Sequence, residues 1–250
     1  MRRYAILTAV LLAATAQAFA QGKQMKVKSK KEAEAVQALL QAPDPTARIK
    51  AAEELITKFA DTDFKGYALY LEADAYALSN NNEKAIVYGE QALEADPKNF
   101  QAVVLMARTY ALTTKAGDLD KAEKIAKINK YGADALELLK TAEKPNPQLS
   151  DADWTATKND FMGQTYFALG CAAAYANKMD DVAADFQKVA DMDADPTDLI
   201  RAGRVLLDVK KYEQAVTWFD KAAAAPNANA QIKDIASKDK ARAQAMLPKK

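Results

Sequence analysis

The sequence has 250 residues with 35 Lys and Arg, 34 Asp and Glu, no His and a single Cys, and half of its residues are hydrophobic. The near-zero net charge excludes the overall positive field that draws proteins to nucleic acid or to anionic membranes. The absence of His excludes Ser-His and Cys-His catalytic pairs and His-ligated zinc, and one Cys excludes an internal disulfide. Eight Gly and eight Pro in an alanine-rich chain favour helices throughout.

The first 20 residues have the pattern of a bacterial export signal. Arg2 and Arg3 precede an apolar run over residues 4–14, and Ala18 and Ala20 place small residues where a signal peptidase reads. A membrane anchor is the alternative, but this run is too short to cross a hydrocarbon core of about 30 Å. We therefore predict a signal peptide over residues 1–20 that is cleaved after Ala18 or Ala20, periplasmic or secreted localisation, and no integral membrane anchor after cleavage.

Residues 21–30 are rich in lysine. Five lysines fall among the nine residues 23–31. A dense run of like charges is typical of a solvated segment, so we predict a flexible lysine-rich arm over residues 21–30. The alternative is an arm that contacts anionic lipid or another polymer.

Residues 31–62 are predicted to form two N-terminal helices, at 31–41 and 45–60, joined by the sequence APDP. The second helix carries Ile49, Leu55 and Phe59 and is a candidate for a cap or a degenerate repeat. These helices are also candidates to cover a groove in the helical stack that follows them.

Residues 65–98 form a unit of helix, tight turn, helix and proline stop. Small residues at Ala85, Gly89 and Ala92 fall on one stripe of the second helix, which lets a neighbouring helix approach closely. Pro97 ends that helix because proline lacks an N–H group and its ring clashes with the preceding turn. The residues that define the unit are Leu69, Ala73, Tyr76, Ala85, Gly89, Ala92 and Pro97.

This pattern resembles the tetratricopeptide repeat, a helix pair of about 34 residues. Only Gly89 departs from the family pattern, since it is smaller than the residue usually found at its position. Related patterns recur over residues 99–143, 150–195 and 196–227, and residues 228–246 are predicted to form a closing helix with a polar outer face.

Two predicted helices exceed the usual repeat length. The second helix of the 99–143 repeat extends over residues 119–142, and the first helix of the 150–195 repeat extends over residues 151–176. We expect this long pair to project beyond the regular stack or to divide it into two halves.

The resemblance implies an all-α fold, a right-handed superhelical α-solenoid of antiparallel helix pairs. It also implies that the first helix of each pair lines a concave groove that binds extended or helical peptides. Tyr and Arg are frequent among interface hot spots. The partner-binding residues carried over from the resemblance are Tyr67, Tyr70, Asp74, Gln101, Arg108, Gln164, Phe167 and Arg204.

One subclass of the family holds the C-terminal carboxylate of chaperones with Lys and Asn at fixed positions. The corresponding residues here are Tyr70, Asp74 and Gln164. The resemblance therefore implies that this carboxylate clamp is absent.

No catalytic, metal or cofactor site is predicted. The sequence DMDADP at residues 191–196 begins like a calcium loop, but Pro196 and Ala202 stand where that loop needs Gly and Glu. We interpret it as a turn whose acidic residues favour the next helix N-terminus. Cys171 is predicted to be a packed, small apolar residue.

The function expected from the resemblance is that of an exported bacterial member of the family. We expect a non-catalytic scaffold that binds a protein or peptide partner along its concave face in a cell-envelope process, without cofactor or nucleic acid. The alternative is a self-associating structural protein, a homo-oligomer held together by the long helices 119–142 and 151–176.

Overall fold

The computed structural model describes residues 19–20, 23–145, 148–192 and 195–248; residues 1–18 of the predicted signal peptide lie outside it. Within these ranges the fold consists of eleven helices and one short hairpin. The hairpin pairs β1 (Phe19–Ala20) with β2 (Lys23–Gln24) in antiparallel fashion. Consecutive helices pack as pairs, so the prediction of an all-α solenoid of the tetratricopeptide type is confirmed.

The chain divides into two compact units, unit 1 with Met1–Thr109 and Lys140–Trp154 and unit 2 with Tyr110–Leu139 and Thr155–Lys250. Helices entirely within unit 1 are α1 (Lys30–Leu40), α2 (Pro45–Lys58), α3 (Lys65–Leu78) and α4 (Asn82–Ala95). Helices that contribute to both units are α5 (Phe100–Thr113), α6 (Lys121–Thr141) and α7 (Asp151–Tyr175). Helices entirely within unit 2 are α8 (Met179–Asp191), α9 (Pro196–Asp208), α10 (Tyr212–Ala224) and α11 (Ala230–Ala245).

The helices α6 and α7 are longer than the rest. They have 21 and 25 residues, whereas the other described helices have 11 to 16. Their positions are those of the lengthened helices expected from the sequence. The division between the two units falls within these two helices and within α5.

Polar side chains define where several helices begin. Each caps a backbone N–H group that has no partner within the helix. Asp195 does so for α9, where its carboxylate accepts a hydrogen bond of 2.8 Å from the Thr197 N–H group. Asp195 therefore favours the N-terminus of the next helix, as the interpretation of residues 191–196 as a turn predicted. The other side-chain caps are Ser29 for α1, Asp44 for α2, Asn81 for α4 and Asn229 for α11.

One turn geometry recurs between paired helices. Among the described residues, Asn80, Asn177 and Lys210 have positive φ angles of 58°, 58° and 62°. Each lies between the two helices of a pair, α3–α4, α7–α8 and α9–α10. The turns are closed by N–H donors of Asn81, Lys178 and Lys211 to the carbonyls of Tyr76, Ala173 and Leu206, at 2.9, 2.9 and 2.8 Å. The same left-handed turn thus joins three helix pairs.

At two equivalent positions, a glycine on one helix leaves room for a bulky side chain of the next helix. A Cβ atom at Gly170 would lie 2.3 Å from the ring of Phe186, and one at Gly203 would lie 2.5 Å from the ring of Phe219. In unit 1 a Cβ atom at Gly89 would lie 2.2 Å from the sulfur of Met106 on α5. The small residue at Gly89 is therefore explained by Met106, which fills the space.

The N-terminal segment packs against the core of unit 1 at residues 25–28, which belong to the predicted flexible arm of residues 21–30. Met25 is only 5% exposed, and Val27 is partly buried against the same cluster. Apolar burial outweighs the solvation of the neighbouring lysines, whose side chains point outward. The buried cluster consists of Met25, Val36, Leu39, Ala52, Leu55, Phe64 and Ala68.

Candidate protein-binding surface

The first predicted contact residues, Tyr67 and Tyr70, lie on α3 in unit 1. Their rings are 5.9 Å apart and tilted by 37°. Tyr67 is half-buried, whereas Tyr70 is only 9% exposed and belongs to a cluster with Leu69, Ala92 and Ala102. Tyr67 is therefore accessible to a bound molecule, while most of Tyr70 serves the packing of α3 against its neighbours.

Asp74, the third predicted residue on α3, forms an ion pair with Arg48 of α2 at 3.4 Å. Burial raises the pKa of the Asp74 carboxyl group, and the Arg48 guanidinium opposes that increase. Both side chains keep about a quarter of their surface exposed, at 27% and 28%. Asp74 therefore pairs with the neighbouring helix α2 and remains partly exposed.

Gln101 and Arg108 lie on the part of α5 that belongs to unit 1. Both are half-buried, as is Leu105 between them, whereas Val104 and Met106 are buried. Residues spaced by four and then three positions share one face of a helix. Gln101, Leu105 and Arg108 therefore form a partly exposed stripe with an amide, an apolar and a cationic side chain.

In unit 2, Gln164 and Phe167 differ in accessibility. Gln164 is half-buried and donates a hydrogen bond of 3.0 Å to Asp160, one turn earlier on α7. Phe167 is 0% exposed, and its ring stacks on Phe186 at 6.3 Å with an angle of 19°. Phe167 is a core residue, and its predicted role as a partner contact is wrong for this reason.

Arg204 is the most exposed of the predicted contact residues. Its Nε atom donates a hydrogen bond of 2.7 Å to Asp239 of α11, and its side chain is 55% exposed. The closing helix therefore supplies an acidic partner for Arg204. The Asp239 side chain is 16% exposed, so the pair is exposed on the Arg204 side and partly buried on the side of α11.

Two long-range ion pairs, one within each unit, were missed from the sequence. Arg48 precedes Asp74 by 26 residues, and Arg204 precedes Asp239 by 35 residues. Neither pair leaves a periodic pattern, so only the packing of helices brings them together.

A second feature missed from the sequence is a lysine above a stacked tyrosine pair, found once in each unit. In unit 1, Tyr76 stacks on Tyr88 at 5.2 Å, and the Lys84 ammonium lies 4.9 Å from the Tyr76 ring. The equivalent set in unit 2 is Lys127, Tyr110 and Tyr131, with 4.9 Å from the ammonium to the Tyr110 ring and 6.2 Å between rings. The recurring signal is a Lys four residues before a Tyr, in KAIVY and KINKY.

Glu72 is a buried carboxyl group within the α3–α4 pair. It is 1% exposed, and its Oε1 atom has no hydrogen-bond partner among the described residues. Burial, and to a smaller extent the Glu53 carboxylate, raise the pKa of Glu72 to about 7 against the opposing effects of the Tyr88 hydroxyl and Lys84. The same environment raises the pKa of Tyr88 to about 12. Glu72 is thus the side chain of this pair that titrates near neutral pH.

A shallow pocket of about 240 Å³ lies in unit 2, where α6, α7 and α8 meet. Its lining includes Ala172, Ala173 and Asp185, and burial raises the pKa of the Asp185 carboxyl group. In the part of the chain that the structure describes, no group of three His, Cys, Asp or Glu side chains is arranged to hold a metal. None of the described helices combines the length and apolarity needed to span a bilayer.

Comparison with known protein families identifies one segment of the chain. Residues 66–99 match the tetratricopeptide repeat, which covers the α3–α4 pair and the turn after it. The chain therefore contains a tetratricopeptide repeat, a module that suggests a scaffold for protein–protein interaction. A search of curated proteins finds no match.

Proposed function

We propose that the chain is an exported, non-catalytic scaffold of tetratricopeptide repeats that binds a protein or peptide partner along the inner faces of its helix pairs. The observation that carries this proposal is the family match at residues 66–99, together with the recurrence of its left-handed turn at Asn177 and Lys210. Repeats of this kind stack side by side and present extended binding surfaces.

The stripe on α5 is the proposed contact surface in unit 1. Gln101 offers an amide, Leu105 an apolar side chain and Arg108 a guanidinium, and all three remain partly exposed. Arg is a frequent hot-spot residue, and amides bind the main chain of an extended peptide. Tyr67 on α3 packs against the same cluster as Leu105 and extends the surface.

Export through a cleaved signal peptide is part of the proposal. Its support is the sequence of residues 1–20, with two arginines, an apolar run and small residues at the cleavage positions. Mass measurement of the protein recovered from an expressing bacterium tests it: a chain that begins at Phe19 or Gln21 supports export, and an intact N-terminus in the cytoplasm contradicts it.

The partner is sought by affinity capture from envelope extract, with a matched pair of variants. The test variant carries Gln101→Ala and Arg108→Glu on α5. The control carries Gln91→Ala on α4 and Lys98→Glu after it, which makes the same chemical changes at two exposed residues. Circular dichroism first establishes that both variants keep the helicity of the parent.

We expect a protein that the parent and the control retain and that the test variant loses by tenfold or more. Binding of that protein, once purified, to the parent and not to the test variant then establishes the surface. Equal retention by all three chains contradicts a binding role for the α5 stripe.

Self-association is the second candidate function, and the lengths of α6 and α7 favour it. Helices of 21 and 25 residues exceed what one repeat pair needs, and the excess length offers a surface to a second copy. Light scattering at micromolar concentration tests this candidate function. The mass of a dimer supports self-association, and the mass of a strict monomer contradicts it.

A further inference from the structure

The segment Met25–Lys28 is bound to unit 1 in the manner of an extended peptide ligand. Its side chains alternate between the protein and solvent, since Met25 is buried and Val27 partly buried, whereas Lys26 and Lys28 are exposed. Alternation with a period of two is the property of an extended chain with one face on a surface. The segment thus presents an apolar face inward and a basic face outward.

Side chains of the helical body hold the main chain of this segment. The Lys26 N–H group donates to a carboxylate oxygen of Asp63 at 3.3 Å, and the Lys28 N–H group donates to Glu32 at 2.5 Å. Glu32 is itself buried and accepts a hydrogen bond of 2.7 Å from the Thr62 hydroxyl. The Glu32 carboxylate is therefore held in place by Thr62, which precedes α3.

A basic side chain completes the attachment. The Lys28 ammonium contacts the carboxylate of Asp61 at 3.0 Å and that of Asp63 at 3.9 Å, and it also donates to the Asp61 carbonyl. The hydrogen bond with Asp61 raises the pKa of Lys28 and lowers that of Asp61. Two carboxylates in the loop between α2 and α3 thus select a cation at this position of the peptide.

The attachment at Lys28 includes the capping of α1, in which Glu32 accepts a hydrogen bond from the Lys28 N–H group and donates its own N–H group to Ser29, and the other contacts are made by the loop between α2 and α3. In every hydrogen bond that the structure describes for Lys26 and Lys28, at least one of the two partners is a side-chain atom. None of these hydrogen bonds belongs to the ladder of a β-sheet. One buried Met, one half-buried Val and exposed ion pairs hold the segment. Contacts of this number are typical of regions that open locally while the rest of a protein stays folded.

We propose that unit 1 contains a reversible binding site for an extended peptide with the pattern apolar, basic, apolar, basic, and that residues 25–28 are its built-in occupant. The site consists of the apolar cluster around Leu39, Leu55 and Phe64, with Glu32 and the Asp61–Asp63 loop at its rim. The proposal is independent of the partner-binding surface on α5.

The occupant blocks the site because it is tethered. The segment continues directly into α1 at its N-cap Ser29, so its effective concentration at the site is high and a free peptide of the same sequence competes poorly. Removal of the apolar anchor of the tethered segment should therefore open the site to a peptide in solution.

The test uses the full chain carrying Met25→Asp and a fluorescent peptide with the sequence of residues 23–29, KQMKVKS. The matched control protein carries Met246→Asp, which places the same charge at a methionine that is 45% exposed. The control peptide is KQDKVKS. Fluorescence anisotropy measures binding at low ionic strength and again at 0.5 M salt.

We expect KQMKVKS to bind the Met25→Asp chain at least tenfold more tightly than the parent or the Met246→Asp chain. KQDKVKS should bind at least tenfold more weakly, and added salt should weaken binding because it screens the contacts of Lys28. Absence of saturable binding to a folded Met25→Asp chain, or equal binding to the parent, overturns the proposal.

A measurement on the parent covers the case in which Met25→Asp fails to fold. Hydrogen exchange should show that the amides of Lys26 and Lys28 exchange at least tenfold faster than that of Ala68, which is buried in α3. Equal rates for these amides would mean that the segment opens only with the helical body, and the proposal would then fail.

Discussion

The pairs α3–α4 and α9–α10 have the same connection but place their bulky side chains differently. In α9–α10, Gly203 on the first helix accommodates the ring of Phe219 on the second. In α3–α4 the position equivalent to Phe219 is Gly89, and Met106 of α5 fills the space instead. In both pairs a bulky side chain therefore fills the space beside a glycine. The helix that carries this side chain differs from pair to pair.

The two pairs also differ at a buried position of the first helix and at the turn. Glu72 is buried in α3, whereas the equivalent residue in α9 is Ala202, also buried. The left-handed turn residue is Asn80 in one pair and Lys210 in the other. The α3–α4 pair thus contains a titratable core group, and the α9–α10 pair contains a side chain poorly suited to its backbone conformation.

Each unit contains one tryptophan, which permits separate measurements. Trp154 belongs to unit 1 and Trp218 to unit 2, and each is 6% exposed. The Trp154→Phe background therefore leaves Trp218 of unit 2 as the fluorescent reporter, and the Trp218→Phe background leaves Trp154 of unit 1. All free energies of unfolding below refer to urea titrations in these backgrounds.

The largest effect is expected from Phe219→Ala, which removes the bulky side chain of α9–α10. We expect a loss of about 3–5 kcal/mol in the free energy of unfolding of unit 2, because the site opposite Gly203 is left as a cavity. Tyr212→Ala, at a half-buried residue of α10, is the control and should cost less. An equal loss for both variants would contradict the importance of the Gly203 contact.

The next effect is the pH dependence that Glu72 contributes to unit 1. Because the folded state raises the pKa of Glu72 from 4.5 to about 7, the folded state binds the proton more tightly than the unfolded state. The contribution of Glu72 to the stability of unit 1 should therefore be largest in acid and fall as pH rises to about 7, by up to 1.4 kcal/mol per pH unit and roughly 3 kcal/mol in total.

Glu72→Gln should remove this pH dependence, since an amide does not titrate. The control is Glu53→Gln, at an exposed residue near Glu72. This variant should keep most of the change in unfolding free energy with pH. Unit 2, with Ala202 at the equivalent position, should lack this contribution between about pH 5 and 7. If the unfolding free energy of the Glu72→Gln variant still changed with pH in this way, the pH dependence would belong to another group.

A smaller difference is expected between two glycine substitutions. Gly203→Ala should destabilise unit 2 by about 1–2 kcal/mol, because the new methyl group meets the rigid ring of Phe219 and this cost exceeds the gain in helix propensity. Gly89→Ala should change the stability of unit 1 by less than about 0.5 kcal/mol, because the Met106 side chain adjusts easily. Similar losses at both glycines would contradict this account.

The smallest effect is expected at the turns. Lys210→Gly should stabilise unit 2 by about 0.5–1 kcal/mol, because glycine adopts a positive φ angle without steric cost. Asn80→Gly should change the stability of unit 1 by only a few tenths of a kcal/mol, since Asn tolerates this conformation. Lys238→Gly, within α11, is the control and should destabilise unit 2 by about 1 kcal/mol.

The sequence predicted the helix pairs well because their signals are local. Ala85, Gly89 and Ala92 indicated the close-packed face of α4, and all three are buried. Pro97 indicated the end of that helix, which the structure places at Ala95. A helix period, a turn and a proline stop all act within a few residues, so they can be recognised without a tertiary structure.

The binding surface was predicted less well because position in a repeat does not determine exposure. Gln101, Arg108, Gln164 and Arg204 are accessible to different degrees, but Phe167 is fully buried against Phe186. The side chain at a groove position turns inward when its neighbour leaves space for it. That space depends on residues from another helix, which the repeat pattern does not specify.

The sequence by itself determined the helices, their turns and the repeat at residues 66–99, because hydrophobic period and backbone preference act along the chain. Only the tertiary structure decided that Met25 completes the core of unit 1, that Asp74 pairs with Arg48, and that Glu72 is held away from water. Each of these outcomes depends on the burial of one group by residues distant in sequence. Burial is set by how helices pack, and no local pattern encodes it.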